Sequence, residues 1–214
     1  FLPLGTDVNK RTDVNKLGIS NQKTIDILFA GQIKNPNRLF SDVKGLPQSL
    51  KKTTEKIIDI VASDLNVSFI SVFKAVMNHE FSENSKKIIF LHANSFLRAY
   101  KRKIVLNKIN SVNLTIVGGV EDNEIKSKIN VSVCPQVSYI DLSEIYKKCK
   151  LAINVSPNFN FSCHDRIIHS ISNGACCITD KNSFLGLVFS DLDSIVFFDY
   201  QNLNTCLLYT SRRG

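Results

Sequence analysis

Short apolar runs, each closed by glycine or a polar loop, dominate the second half of the chain and occur once near its start. Ile25-Asp-Ile-Leu-Phe-Ala30 ends at Gly31, and Leu114-Thr-Ile-Val117 ends at Gly118-Gly119. Leu151–Val155 precedes a polar loop over 157–162, and Ala175–Thr179 and Ser194–Phe198 follow, with shorter extended pieces at Val131–Val133 and Val137–Tyr139. Runs of this length bounded by turn residues read as buried strands. Between them lie helical stretches: one capped by Asp141 or Ser143 and running to about Lys148, another from His164 to Asn173 stopped by Gly174. Strand and helix alternating on this scale imply a parallel sheet with helices on both faces, so the fold class is α/β, doubly wound and Rossmann-like.

Residues 38–112 break the alternation and read as mainly helical. Asn35-Pro36-Asn37 has turn chemistry. Leu50–Ala62 carries apolar residues at 50, 57, 58, 61 and 62, Asn66–Met77 repeats the pattern, and Lys86–Ile109 reads as one or two helices. Residues 1–24 are polar and contain an imperfect tandem, Thr6–Lys10 and Thr12–Lys16, too short for a solenoid; they read as a linker. The main domain is expected over 25–205. Cys206–Ser211 is what one reading frame of a transposase sequencing adaptor encodes, so 206–214 is expected to be a non-native tail and the chain a fragment open at both ends.

With 43% hydrophobic and 21% charged residues the chain is too apolar for disorder. Its most apolar stretch, Ile57–Met77, is interrupted by Asp59, Asp64 and Lys74, short of the roughly 20 apolar residues that a membrane span requires. The six cysteines lack C-x-x-C spacing, which points to free thiols in a cytoplasmic setting rather than to disulfides or a zinc site, and no metal is expected. The net charge of +8 is uneven: residues 1–112 hold 18 Lys/Arg against 9 Asp/Glu, and residues 113–214 hold 9 against 10. Such a bias invites anionic partners, although 21 Asn and only seven Ala also fit an AT-rich genome. Arg98, Lys101, Arg102 and Lys103 read as a solvated helix face, with a phosphate or membrane contact as the other reading. His79 and His92 read as structural or exposed.

In an open parallel sheet ligands bind beyond the carboxyl ends of the strands. Here those ends carry Gly31, Gly118-Gly119, the loop over 156–163 and Thr179-Asp180. The loop runs into a helix whose first turn holds His164 and Arg166, where free N–H groups and the helix dipole favour an anion. A diphosphate pocket and ordinary loop glycines before a capped helix both fit this pattern. The sequence contains no G-x-G-x-x-G after a strand, no P-loop and no G-x-S-x-G, which removes the main support for dehydrogenase, P-loop and hydrolase readings.

Ala152–Phe159, Ser162-Cys-His-Asp-Arg166, Asn173-Gly-Ala175, Thr179-Asp180 and Asn182–Leu185 together resemble the donor half of group 1 glycosyltransferases, most closely the CgeB-like, spore-maturation-type branch. Leu2–Asp7 resembles that family's passage between domains, Phe29-Ala-Gly31 with Arg38 its first strand and turn of the second domain, and Leu114–Gly118 a later strand-glycine element. The resemblance implies the C-terminal half of a GT-B architecture, with an acceptor-binding domain upstream. It also implies a nucleotide-sugar donor, a carbohydrate or other hydroxyl acceptor, and no separate cofactor. Carried over by position, the donor-binding residues are Gly31, Arg38, Gly118, Tyr139, Asn158, Ser162, His164, Arg166 and Asp180. Arg166 would neutralise phosphate, Tyr139 would lie where the base docks, and Asp165 and His164 would be the catalytic-site pair. Where many retaining members carry two glutamates eight positions apart, this sequence has Phe161 and His169; Asp165, four residues before His169, shares its helix face and is placed to pair with it.

The leading expectation is therefore a glycosyltransferase fragment that binds the donor and is inactive in isolation. A non-catalytic nucleotide-sugar-binding module and a basic nucleic-acid-binding protein are the alternatives. The absence of Trp and of any recognition motif weighs against nucleic acid as a partner. Basic helices over 50–110 add the expectation of a peripheral contact with anionic lipid at the inner face of the membrane.

Overall fold

A computed structural model describes residues 23–77, 81–156, 158, 162–189 and 192–203. Residues 1–22 with the tandem at 6–16, His79, Phe161, Cys206 and the 206–214 tail lie outside the described residues.

Among the described residues, six strands form one parallel sheet: β1 (Ile25–Ala30), β2 (Leu114–Val117), β3 (Val131–Cys134), β4 (Cys149–Asn154), β5 (Cys176–Asp180) and β6 (Ile195–Phe198), in the order β3-β2-β1-β4-β5-β6. Every neighbouring pair is parallel, and Ile27 stands abreast of Leu114 on one side and Leu151 on the other. The expected α/β, doubly wound, Rossmann-like sheet is present. Its order reverses between β1 and β4, which makes the carboxyl ends of these two strands the topological switch point.

Successive side chains of β1 point to opposite faces. Ile27 and Phe29 join Leu114, Ile116, Leu151 and Ile153 on one face, packed against Val105, Leu106 and Ile109. Leu28 and Ala30 join Val117 and Ala152 on the other, beneath Tyr146 of α6 (Tyr139–Lys147). Beside them α7 (Asp165–Ser172) and α8 (Ser183–Val188) close Ile167 and Leu185 over Cys177. A short α5 (Asn123–Lys126) links β2 to β3.

The expected helical region follows β1 as α1 (Pro36–Lys44), α2 (Gln48–Ser63), α3 (Phe69–Val76) and α4 (Glu83–Asn107). Asn35-Pro36-Asn37 is not a free turn: Asn35 caps α1 by accepting from the Asn37 N–H, and Pro36 occupies its first turn. The helix expected from Asn66 begins at Phe69, where Ser68 supplies the cap. α4 is one helix of 25 residues, about 37 Å long. Ile89, Ala93 and Leu97 in its first part pack with α1–α3 around a core of their own, while Val105 and Leu106 near its end belong to the sheet core. One rigid helix thus spans two cores.

Val137–Tyr139 is not extended as expected, since Tyr139 opens α6. The cap is Ser138 rather than Asp141 or Ser143: its Oγ accepts from the Asp141 N–H (3.1 Å) and donates to Asp141 Oδ2 (2.7 Å). Ser138→Ala is expected to cost about 1 kcal/mol; a chemical-denaturation midpoint equal to that of the parent would show that this cap carries no stability.

Candidate functional site: a cationic cleft at the switch point

At the end of β1 the chain turns through Gly31, whose φ of +148° is one that side-chain-bearing residues rarely adopt. The carbonyls on either side of this glycine each hold a guanidinium. Arg166 Nη1 donates to Ala30 O (2.7 Å) and Arg102 Nη1 donates to Gln32 O (2.7 Å). Both cations also sit over the buried Phe29 ring, at 5.5 Å and 5.7 Å from its centroid. A Cβ on Gly31 would lie 3.0 Å from Arg166 Nη1, so the glycine is what lets Arg166 settle on the strand end. Gly118 plays a different part: its backbone abuts that of Gly31, and a Cβ there would approach Gly31 O to 2.6 Å.

Gly31 and the two guanidiniums line a cleft of about 460 Å³, whereas Gly118, expected among the donor-binding residues, is not in its lining and instead backs the Gly31 turn. One wall is the turn after β1, with Gly31, Gln32 and Lys34; a second is the start of α7, with His164, Asp165 and Arg166; a third is α4, with Ser95, Arg98, Ala99 and Arg102. Positions 95, 98, 99 and 102 share one helix face. Among the described residues, four cations therefore face a single carboxylate, Asp165. Burial, and then the neighbouring Arg166 and Arg98 guanidiniums, pull Arg102 below the ordinary arginine range. Arginine nevertheless keeps its proton in proteins, so Arg102 stands in the cleft as a cation.

Asp165 does not pair with His169 as expected. Its Oδ1 contacts His164 Nδ1 and accepts from the Arg166 N–H (2.8 Å). The same Nδ1 lies within reach of the Arg166 N–H (3.3 Å) and Nε–H (3.2 Å), and His164 Nε2 lies 3.0 Å from Arg166 Nη2, so the imidazole is held along the guanidinium by both ring nitrogens. The hydrogen bond from His164 is the main reason that the Asp165 pKa falls to about 2. His169 instead lies buried, with Nε2 2.6 Å from Ser143 Oγ and its ring stacked on Tyr139 at 3.9 Å.

Of the residues singled out by sequence, the fold gathers Gly31, His164, Asp165 and Arg166 in the cleft. Arg38 is not among its lining residues: it is exposed on α1 and pairs with Glu121 Oε2 (3.0 Å). Tyr139 is more than half exposed and carries His169 on one ring face. Asn158 and Asp180 line a second, much smaller cavity. There Asn158 Nδ2 donates to Asn94 Oδ1 (3.0 Å), and Asp180 accepts from the Ser156 N–H (2.7 Å) and the Tyr200 hydroxyl (3.0 Å). The carbonyl of Ser162 accepts from Asn182 Nδ2 (3.2 Å).

Sequence reasoning missed Lys34 as well as Arg98 and Arg102, whose run it read as a solvated face. Lys101 in that run is buried beneath Tyr200, and Lys103 pairs with Asp122 and Glu124. The available signal was the four-residue spacing of Arg98 and Arg102, which puts both on one helix face. Among the described residues no group of three His, Cys, Asp or Glu side chains is placed to hold a metal ion, and no helix is long and apolar enough to cross a membrane.

Burial holds His164 and His169 below the ordinary histidine value of 6.5. The unfolded chain therefore binds protons that the folded one refuses, and stability present above pH 6.5 is lost as the pH falls below it. Asp165 extends the same trend, from 3.8 down to about 2. The melting temperature should be lower at pH 5.5 than at pH 7.5; an equal or higher value at pH 5.5 would contradict the burial of neutral imidazoles.

No curated protein and no solved structure matches this sequence. The sequence model of one family, described as glycosyl transferase-like, matches residues 94–210. The match takes in the cleft face of α4, the sheet from β2 to β6 and the whole start of α7. With more than half of its length matched, and with a Rossmann-like sheet holding a cationic cleft at the switch point, the chain belongs to the glycosyl transferase-like family.

Proposed function

We propose that this chain is the donor-binding, C-terminal half of a GT-B glycosyltransferase of the CgeB-like branch, and that the cleft at the end of β1 takes the diphosphate of a nucleotide-sugar. The observation that carries this reading is Arg166, buried yet cationic, fixed by Ala30 O at the mouth of the cleft beside Gly31. A guanidinium offers a paired set of donors to phosphate oxygens. Stabilising a departing nucleoside diphosphate is the main electrostatic task in moving its sugar to a hydroxyl acceptor. Asp165, ionised at neutral pH, accepts hydrogen bonds from ribose or sugar hydroxyls rather than shuttling protons. His164, neutral and bonded to Arg166, sets the direction of that guanidinium. The base that activates the acceptor then comes from a domain upstream, and the enzyme works in the cytoplasm, where it contacts anionic lipid peripherally.

Thermal-shift titration with nucleoside diphosphates and nucleotide-sugars tests the reading, with single-stranded DNA as the charge control. Saturable stabilisation by one nucleotide family supports it, because a ligand that binds only the folded state raises stability. A response to DNA alone overturns it. One observation favours a second reading, a binding module without turnover. His169, at the position of the second glutamate of retaining members, is packed against Tyr139 and Ser143, and it is not among the residues that line the cleft. Nucleotide-sugar binding without transfer by the complete protein would favour that module.

A further inference from the structure

The three guanidiniums of the cleft come from two separate parts of the chain. Arg166 stands at the start of α7, whereas Arg98 and Arg102 stand one turn apart on α4, on another wall. The stretch of α4 that carries them is gripped at both ends, by Leu97 in the helical core and by Val105 in the sheet core, so its position relative to β1 is fixed before any ligand arrives. Arg102 is further anchored by Gln32 O and the Phe29 ring. Arg98 has no hydrogen bond or carboxylate partner among the described residues, which leaves its donors available to the cleft. We propose that Arg98 and Arg102 complete, with Arg166, a clamp for the diphosphate whose charge matches the departing nucleoside diphosphate better than the sugar donor.

The proposal rests on the donor reading of the cleft. Lys34, Arg98, Arg102 and Arg166 against Asp165 leave a net charge of +3 around a neutral His164. A diphosphate bridging nucleoside and sugar carries one negative charge on each phosphate. Once the sugar leaves, the terminal phosphate becomes a monoester-like group of about −1.5 to −2, and the total approaches −3. Interactions that strengthen as that charge develops lower the barrier instead of merely tightening donor binding. The same clamp holds the free nucleoside diphosphate more tightly than the nucleotide-sugar, so product competes with donor.

Isothermal titration of the full chain with inorganic pyrophosphate, with EDTA present to keep magnesium complexes out of the titration, reads the clamp directly. Arg98→Gln removes a partly exposed side chain with no structural bond and is expected to weaken pyrophosphate about tenfold. Lys86→Gln, on the same helix but paired with Glu83 outside the cleft, is expected to leave the affinity unchanged. A second titration compares nucleoside diphosphates with their nucleotide-sugars. The wild-type chain should prefer the diphosphate, and Arg98→Gln should narrow that preference. If Arg166→Gln weakens pyrophosphate while Arg98→Gln and Arg102→Gln do not, the α4 clamp is overturned and the donor reading stands. If the arginines of α4 bind pyrophosphate but no nucleotide-sugar displaces it, the donor reading fails while the anion clamp remains. Equal weakening by Arg98→Gln and Lys86→Gln would reduce the effect to overall charge and overturn the clamp.

Discussion

Gly118→Ala is expected to lower stability by about 3 kcal/mol or more, the sum of a backbone conformation nearly confined to glycine and an overpacked strand end. Gly118 has φ +139°, and a Cβ there would meet backbone on both counts, Gly31 O at 2.6 Å and Gly31 C at 2.9 Å. Neither atom can yield cheaply. The Gly31 N–H is bonded to Val117 O (2.9 Å) and the Gly118 N–H to Cys134 O (3.0 Å), so movement of either glycine breaks the ladder at the centre of the sheet. For a chain of this size the loss corresponds to a fall in melting temperature of about 6–12 °C. Because the displaced turn carries Gly31 and the carbonyls that hold Arg166 and Arg102, anion binding should fall with stability. A melting temperature within a degree or two of the parent would mean that the strand ends are looser than the structure shows.

Arg166→Ala is expected to weaken nucleoside diphosphate binding by about 1.5–3 kcal/mol, roughly ten- to a hundredfold, the range for hydrogen bonds to charged groups. The side chain is 8% exposed and bridges Ala30 O, His164 and the Phe29 ring, so its loss also frees one carbonyl at the strand end. Titration of the folded variant, with its fold checked by circular dichroism, separates the two consequences. Unchanged affinity would remove Arg166 from the site. Gly31→Ala offers a graded comparison, since its Cβ would displace Nη1 from 3.0 Å without deleting the charge.

Much of the sheet was legible in local sequence. β1 and β2 occupy the residues expected of them, because an apolar run ending at glycine has few other uses at that length. The start of α7 was legible for a similar reason: His164-Asp-Arg166 at the end of a polar loop, with Gly174 beyond the last turn, marks both helix ends. Val137–Tyr139 was misread because three residues cannot separate strand from helix. The Ser138 hydroxyl and Asp141 carboxylate decided for helix by satisfying each other at its first turn. The Asp165–His169 pair failed on competition, since Asp165 found the adjacent His164 and the Arg166 N–H first, and His169 was drawn beneath Tyr139.

By itself the sequence determined an α/β chain with a parallel sheet, a helical excursion after the first strand, and a helix that starts at His164-Asp-Arg166. Apolar period, caps and glycines act within a few residues, and those signals can be read without knowing where the chain goes next. Only the tertiary structure decided that the cleft has a third wall. Arg102 meets Gln32 across 70 residues and Arg166 meets Ala30 across 136. Helical spacing placed Arg98 and Arg102 on one face of α4, but whether that face met solvent or the cleft depended on α1–α3 gripping one end of the helix while the sheet held the other. The direction in which a helix face points is set by long-range packing, which no local period encodes.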